Sequence, residues 1–318
     1  MIHRFTIADT AKGVRLDNYL AETIDELSKS AIRKIIDLGG VHIDGKRVRK
    51  CGRQMVLGEK VELHHDNQPL EPFRIAPEHI VFQDKHLIVL NKPAGIECQP
   101  TPSRYKGTLY EALQIWLDRD TRFGRKLHIG MSQRLDRNTS GLIVFSIHPN
   151  SHKGLSHQIQ QRSMGKHYLA LVEHRPDPPQ GTIRSFLAKQ RRSNVMKSVQ
   201  QGGREAITHY RVLTSSSRLS LVAVRLETGR THQIRVHFSE AGCPLAGDIK
   251  YGGTRSIAGI TFNRQCLHSW KIDMLHPVTS APLHFTAPIP DDMALQELDA
   301  AGEVHPPLHT LKPGDIII

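Results

Sequence analysis

The sequence predicts an α+β protein: a small N-terminal α+β module, then a larger domain on a mixed, mainly antiparallel sheet. Three observations carry that expectation. Early in the chain, apolar residues recur at helical spacing and then give way to a short basic hairpin. A polar, proline-bearing stretch at 65–77 separates this region from the rest of the chain. Beyond it, strand-sized apolar runs arrive without regular alternation with helices, which favours antiparallel pairing over a doubly wound sheet.

In the first 64 residues, Leu16, Tyr19, Leu20 and Ile24 mark one helix. Ser28 offers an N-cap for a second, in which Ile32, Ile35 and Ile36 form the buried stripe and Gly39 the stop. Lys29, Arg33 and Lys34 fall mainly on the other faces of that helix. Val41–Ile43 is a strand, Asp44-Gly45 a tight-turn dipeptide, and the return segment carries Lys46, Arg47, Arg49 and Lys50. Leu57-Gly58-Glu59 turns into a last short strand from Lys60 to Leu63. Residues 65–77 are read as a linker, 78–290 as the larger domain, and 291–318 as an acidic tail with six Asp or Glu against one Lys. Within the larger domain, Leu87–Asn91, Gly141–Phe145, Tyr168–Val172 and Leu219–Leu226 read as strands. Thr108–Asp118 and Leu155–Met164 read as helices. The basic stretch from Lys189 to Arg204, with Arg191, Arg192 and Lys197, reads as a mobile loop or hairpin touching a polyanion or, equally, as an exposed loop with no role.

The 318 residues are enough for two domains. A net charge of 43 − 31 = +12 suits a polyanionic partner, because Lys and Arg release counterions from phosphates. Cys51, Cys98, Cys243 and Cys266 are far apart, with no CxxC pair, and are expected as reduced thiols of a cytoplasmic protein. The N-terminal residues lack an apolar signal core, and no run is long enough to span a bilayer, so no membrane partner is expected. Among 20 histidines, His232 and His237 are five apart and no HExxH occurs, so no metal is expected.

Three stretches carry chemistry. In Gln133–Leu142, Asp136 stands between Arg134 and Arg137 and is followed by Thr139, Ser140 and Gly141. Nearby guanidinium groups favour the charged form of a carboxylate, which can then serve as nucleophile or base. From this segment alone, a turn Asp that merely pairs with Arg is the favoured reading, because ion pairs in loops are common. In Leu226–His237, a strand ends at Gly229 and restarts through Arg230, His232, Gln233, Arg235 and His237, a set of donors suited to lining a cleft. In Lys166–Val172, Tyr168 lies on one face of an otherwise largely apolar strand, where a lone tyrosine is usually core.

The runs RLDNYLAE, SKSAIRKIIDLGGVHIDGKRV and LGEKVEL resemble the RNA-binding domain named after ribosomal protein S4. The larger domain resembles the RluA-type pseudouridine synthases. Its matches are Arg134–Asp136 with Thr139–Gly141, then Lys166, Tyr168 and Ala170, and the run Gly229–Arg235. Asn91–Gly95, Leu267-His268 and His276-Pro277 with Thr279 add to them, and coverage runs from about 12 to about 290. One departure is Gln133, where many relatives carry histidine. The resemblance implies isomerisation of uridine to pseudouridine in RNA, needing no cofactor and no metal. It implies that Asp136 is the catalytic carboxylate, that Arg235 pairs with it, and that Tyr168 stacks on the uracil. Arg134 would enter the RNA where the base left the stack, with Arg137, Thr139, Arg230, His232 and Gln233 around the substrate. Lys29, Arg33, Lys34, Lys46, Arg47, Arg49 and Lys50 would meet RNA phosphates. Large-subunit ribosomal RNA is the expected substrate, with transfer RNA as the alternative, and a monomer is expected. A non-catalytic RNA-binding or ribosome-assembly factor would explain the charge and the first module, but has no need of Asp136, Tyr168 and Arg235 together. A metal-dependent nuclease would need a carboxylate cluster, and around Asp136 only arginines are close in sequence.

Overall fold

The computed structural model describes residues 1–119, 128–190, 195–257 and 259–293. It contains two compact units: Met1–Ala76 with Ile96–Leu127, and Pro77–Gly95 with His128–Ile318.

The first unit holds β1 (Ile2–Thr6), α1 (Leu16–Thr23), α2 (Lys29–Leu38), β2 (Val41–Ile43), β3 (Lys46–Val48), β4 (Lys60–His64) and α3 (Leu109–Asp118). Its strands pair antiparallel in the order β1-β4-β2-β3. Leu16, Leu20, Ile24, Ile32, Ile35 and Ile36 pack with Val61 and Leu63 in one core. Each such side chain contributes about 1.5–3 kcal/mol by leaving water. Both ends of α2 follow from local chemistry. Ser28 Oγ accepts the Ala31 N–H, and Gly39, at φ 91°, donates its N–H to the Ile35 and Ile36 carbonyls. Asp44 and Gly45 both take positive φ, as a two-residue hairpin turn requires. The strand β1 is not among the runs legible in the sequence. It is a short edge strand with polar and apolar residues at mixed positions, and it pairs with β4 from Ile2–His64 to Thr6–Lys60, partners that lie far apart in the chain.

Residues 65–76 form no helix or strand. The sequence pattern groups the Thr108–Asp118 helix with the larger domain; its segment instead clusters with the first unit. The anchors are local: Tyr105 and Lys106 N–H groups both donate to the Leu38 carbonyl at the end of α2. Thr108 caps α3 by accepting the Glu111 N–H, and the Glu111 carboxylate accepts the Gly107 N–H.

The second unit is built on a ten-stranded sheet. Its strands are β5 (Ile80–Gln83), β6 (Leu87–Lys92), β7 (Ser140–Ser146), β8 (Gly165–Glu173), β9 (Gln180–Lys189), β10 (Met196–Ser198), β11 (Arg204–Ser215), β12 (Leu219–Leu226), β15 (Leu267–Leu275) and β16 (Pro282–Thr286). A separate two-stranded hairpin comprises β13 (Ser256–Ile257) and β14 (Ile260–Thr261). The order is β10-β9-β11-β12-β8-β15-β7-β6-β5, with β16 on β15. Among the described residues only β7 and β15 run parallel, so the sheet is mixed and mainly antiparallel. Gly141 is required at that parallel contact: at φ 106°, its absent Cβ would lie 2.2 Å from the Ser269 carbonyl oxygen.

Two helices differ from the sequence-based expectation. The helix expected at Leu155–Met164 is α4 (Pro149–Gln160). Pro149 opens it, a position where its missing N–H is no loss. The segment after Gly229, expected as a strand restarting, is instead α5 (Gln233–Glu240). Every residue from Gln233 to Phe238 is buried, so the helix has no exposed face over that stretch, and Ile234, Val236 and Phe238 mimic the two-residue period of a strand. In the Lys189–Arg204 stretch, β10 pairs back on β9. Arg191 and Arg192 lie outside the described residues, as does the acidic tail from 294 onward. No helix among the described residues is long and apolar enough to cross a membrane.

Candidate active site

The Asp136 loop leads into β7 and is fastened on several sides. Thr139 donates its N–H to the Asp136 carbonyl at 3.0 Å. The Arg137 carbonyl accepts the Gly95 N–H and the Lys92 ammonium, each at 2.9 Å. Lys92 is fully buried at the end of β6 and also holds the Pro93 carbonyl. The Asn138 carbonyl accepts Arg264 Nη1 at 3.1 Å. Arg264 also donates to Ser140 Oγ and makes two bonds to the Asp292 carboxylate. Leu135 packs on the cluster that contains Tyr168, Val224 and Ile234.

The side chain of Asp136 meets α5. Arg235 Nη1 donates to Asp136 Oδ2 at 2.9 Å, while its Nε and Nη2 grip both oxygens of Asp248 at 2.6 and 2.8 Å. The guanidinium also lies over the Tyr251 ring at 4.8 Å. Burial opposes its charge, but the Asp248 hydrogen bonds and the two carboxylates outweigh burial and hold its pKa above the ordinary value. Arg235 and Asp248 are almost wholly enclosed, whereas the Asp136 side chain keeps 21% of its surface open. One carboxylate thus faces outward against a charged group whose position is fixed from behind.

His232 sits at the start of α5 in the left-handed region, at φ 55°. Its Nε2 is 3.8 Å from Asp136 Oδ1, beyond hydrogen-bonding reach. Burial leads in lowering its pKa, so the ring is neutral at pH 7. Tyr251 Oη lies 2.6 Å from His232 Nδ1 and accepts the Met196 N–H.

The other residues named from sequence divide into two groups. Arg134 is exposed and Arg137 half-buried, and among the described residues neither side chain has an intramolecular partner. Tyr168 lies on β8, nearly buried and opposite Val224 and Ser269. Gln233 and Thr139, expected at the substrate, are both buried. The Gln233 amide donates to Ile207 O and Thr208 Oγ1 and accepts from Thr228 Oγ1 and the Arg230 N–H, which uses its hydrogen-bonding capacity inside the protein. Thr139 faces Gln265 at 3.5 Å. Arg230 donates through Nε to the Glu205 carbonyl and is half-buried. Asp248, Tyr251 and Arg264 are absent from the sequence-based set, and no spacing or motif points to them.

In the first unit, Lys29, Lys46, Arg49 and Lys50 are exposed. Arg33, Lys34 and Arg47, expected at phosphates, have partners of their own. Arg33 and Arg15 pair with the buried Asp17 carboxylate, and the Arg15 hydrogen bond leads in holding that carboxyl far below its usual range. Lys34 pairs with Glu71. Arg47 bonds the Gly39 and Thr101 carbonyls, and Arg49 lies 4.9 Å over the Tyr105 ring. Charge runs give no sign of which cations the fold itself consumes.

A family model described as RNA pseudouridylate synthase matches residues 86–240, and an S4 domain model matches residues 14–57. The chain is 34% identical to the ribosomal large subunit pseudouridine synthase D of Nitrosomonas europaea, over 91% of this chain and 85% of that protein. It is 36% identical to an uncharacterized RNA pseudouridine synthase of Chloroflexus aurantiacus, over 94% of each. Among solved structures, human RNA pseudouridylate synthase domain containing 4 shares the fold, with a TM-score of 0.56 and 24% identity over 68% of this chain and 90% of that one. The chain is an isomerase acting on RNA and belongs to the RNA pseudouridylate synthase family, with an S4 domain in its N-terminal part.

Proposed function

We propose that Asp136 is the carboxylate that carries the isomerisation, and that the substrate is large-subunit ribosomal RNA. The observation that carries the first part is the Arg235–Asp136 contact of 2.9 Å, with Arg235 itself braced by Asp248. Converting uridine to pseudouridine breaks the bond from ribose C1′ to uracil N1 and rejoins the base through C5. The carboxylate must stay charged, point one way, and meet a base taken out of its stack. A fixed guanidinium behind Asp136 aims the carboxylate without reorganising during the reaction. The exposed Arg134 and the half-buried Arg137 flank the carboxylate and enter or follow the RNA strand. Tyr168 lies on the face of β8 that receives the uracil. The exposed cations Lys29, Lys46, Arg49 and Lys50 add affinity through phosphates with little base reading. The ribosomal assignment is supported by relatives such as the ribosomal large subunit pseudouridine synthase D of Nitrosomonas europaea.

Mapping pseudouridines in ribosomal and transfer RNA from cells lacking the gene identifies the target; loss of a site only in transfer RNA would overturn the ribosomal assignment. Asp136→Asn should abolish tritium release from C5-labelled uridine while leaving the fold intact. Retained turnover would reject Asp136 as the catalytic group.

A further inference from the structure

We propose that Lys166, with Arg230 and Arg204 beside it, forms a binding site for one backbone phosphodiester of the RNA, close to the nucleotide being isomerised. The inference rests on the reading above for its place along the RNA. Lys166 lies on β8 two residues before Tyr168, so the two share a face of the strand about 7 Å apart. It is only 8% exposed, yet among the described residues its ammonium has no hydrogen-bond or ion-pair partner. A buried charge without a counter-charge is strongly unfavourable, so a site that keeps one calls for an anion from outside.

The surroundings sharpen the point. The charged groups acting most on Lys166 are Arg230 and Arg162, and they add to burial in lowering its pKa. Arg204 acts on Arg230 in the same way. The two nearby carboxylates are already occupied: Glu205 takes Arg162 and Arg184, and Glu227 takes Arg162 and His209. Arg230 spends its Nε on a backbone carbonyl, and the exposed Arg204 has no partner among the described residues. Lysine and arginine charges therefore outnumber the carboxylates that could neutralise them. Gly229 is exposed, and a Cβ there would stand 3.6 Å from Lys166 Nζ, so the ammonium lies beneath a residue without a side chain. RNA offers one recurring monoanion with two free oxygens, and a compact ammonium flanked by guanidinium groups matches it.

The test measures binding apart from turnover, using full-length protein carrying Asp136→Asn and a hairpin RNA spanning the mapped target uridine. Lys166→Gln should weaken affinity about tenfold and reduce the slope of log affinity against log salt by about 0.7–0.9. A scan of single methylphosphonate linkages, each removing one phosphate charge, should find one position near the uridine where the unsubstituted Lys166 protein loses about tenfold. With Lys166→Gln that one penalty should vanish while all others persist. Lys166→Met, which removes the buried charge while keeping the bulk, guards against misfolding and should give the same pattern with unfolding temperature kept or raised. Unchanged affinity and salt slope, or identical penalties in both proteins at every linkage, would overturn the phosphate site and leave the role of Asp136 standing. Turnover by Asp136→Asn would strike the catalytic reading alone.

Discussion

Asp248→Asn isolates the brace behind the proposed catalytic pair. In the native protein Arg235 makes three charge-assisted bonds, two to Asp248 and one to Asp136. Asparagine keeps one acceptor oxygen and turns an amide NH2 toward a guanidinium donor, so one bond is lost and two donors face each other. Hydrogen bonds to charged groups are worth about 1.5–3 kcal/mol, and breaking a buried pair lies at the upper end of that range or above. The expected stability loss is about 3 kcal/mol, or a fall in Tm of roughly 6–12 °C for a unit of this size. Arg235 is then free to shift toward Asp136, its one remaining carboxylate. A displacement of about 1 Å at the reacting group lowers rate by about 100-fold, so kcat should fall by that order while KM changes little. Single-turnover tritium release with saturating RNA measures the rate, and differential scanning calorimetry the stability. A normal kcat beside the expected fall in Tm would refute the reasoning, because it would make Asp248 a brace of the fold with no part in aiming Asp136.

Arg235→Lys should lower kcat at least about 100-fold, since an ammonium has too few fixed donors to hold Asp136 and Asp248 together; near-native turnover would remove the guanidinium from the argument. Lys46→Gln with Lys50→Gln should reduce the salt slope of RNA affinity by about 1.4–1.8, and an unchanged slope would take the β2–β3 hairpin out of the interface. Stability should also depend on pH. Burial holds the His237 and His268 imidazoles down at about 4, whereas in the unfolded chain they titrate near ~6.5. The unfolded state binds more protons between those values, so this stabilisation is complete above about pH 6.5 and is lost as pH falls toward 4. Urea unfolding at pH 7.5 and pH 5 should differ by about 2 kcal/mol for each histidine, and His237→Gln should remove its share; equal losses in both proteins would reject the assignment.

How much the sequence discloses depends on how local the cause is. The stripe, cap and stop of α2 are readable because Ser28, Ile32, Ile35, Ile36 and Gly39 act within three turns of one helix. Asp136 and Arg235 stand 99 residues apart, and they are paired through family resemblance rather than through anything in their own segments. The Gly229–His237 run reads as a strand because burial on every side erases the helical period of α5. Asp248 is invisible because a turn carboxylate gains meaning only when the fold brings it to Arg235. Arg33 and Arg47 read as unpaired cations in the sequence for a related reason: the partners they take, Asp17 and two carbonyl oxygens, are set by the fold.

Arg264 has a practical consequence for anyone shortening this protein. Its guanidinium spans from the Asn138 carbonyl to the Asp292 carboxylate, near the last residues the structure describes. A boundary drawn at the end of β16 would look safe on a diagram of strands, yet it would strip the counter-ion from a cation fastened to the Asp136 loop. Expression designs that begin a tag after Met293 retain that counter-ion, whereas those ending at Thr286 discard it.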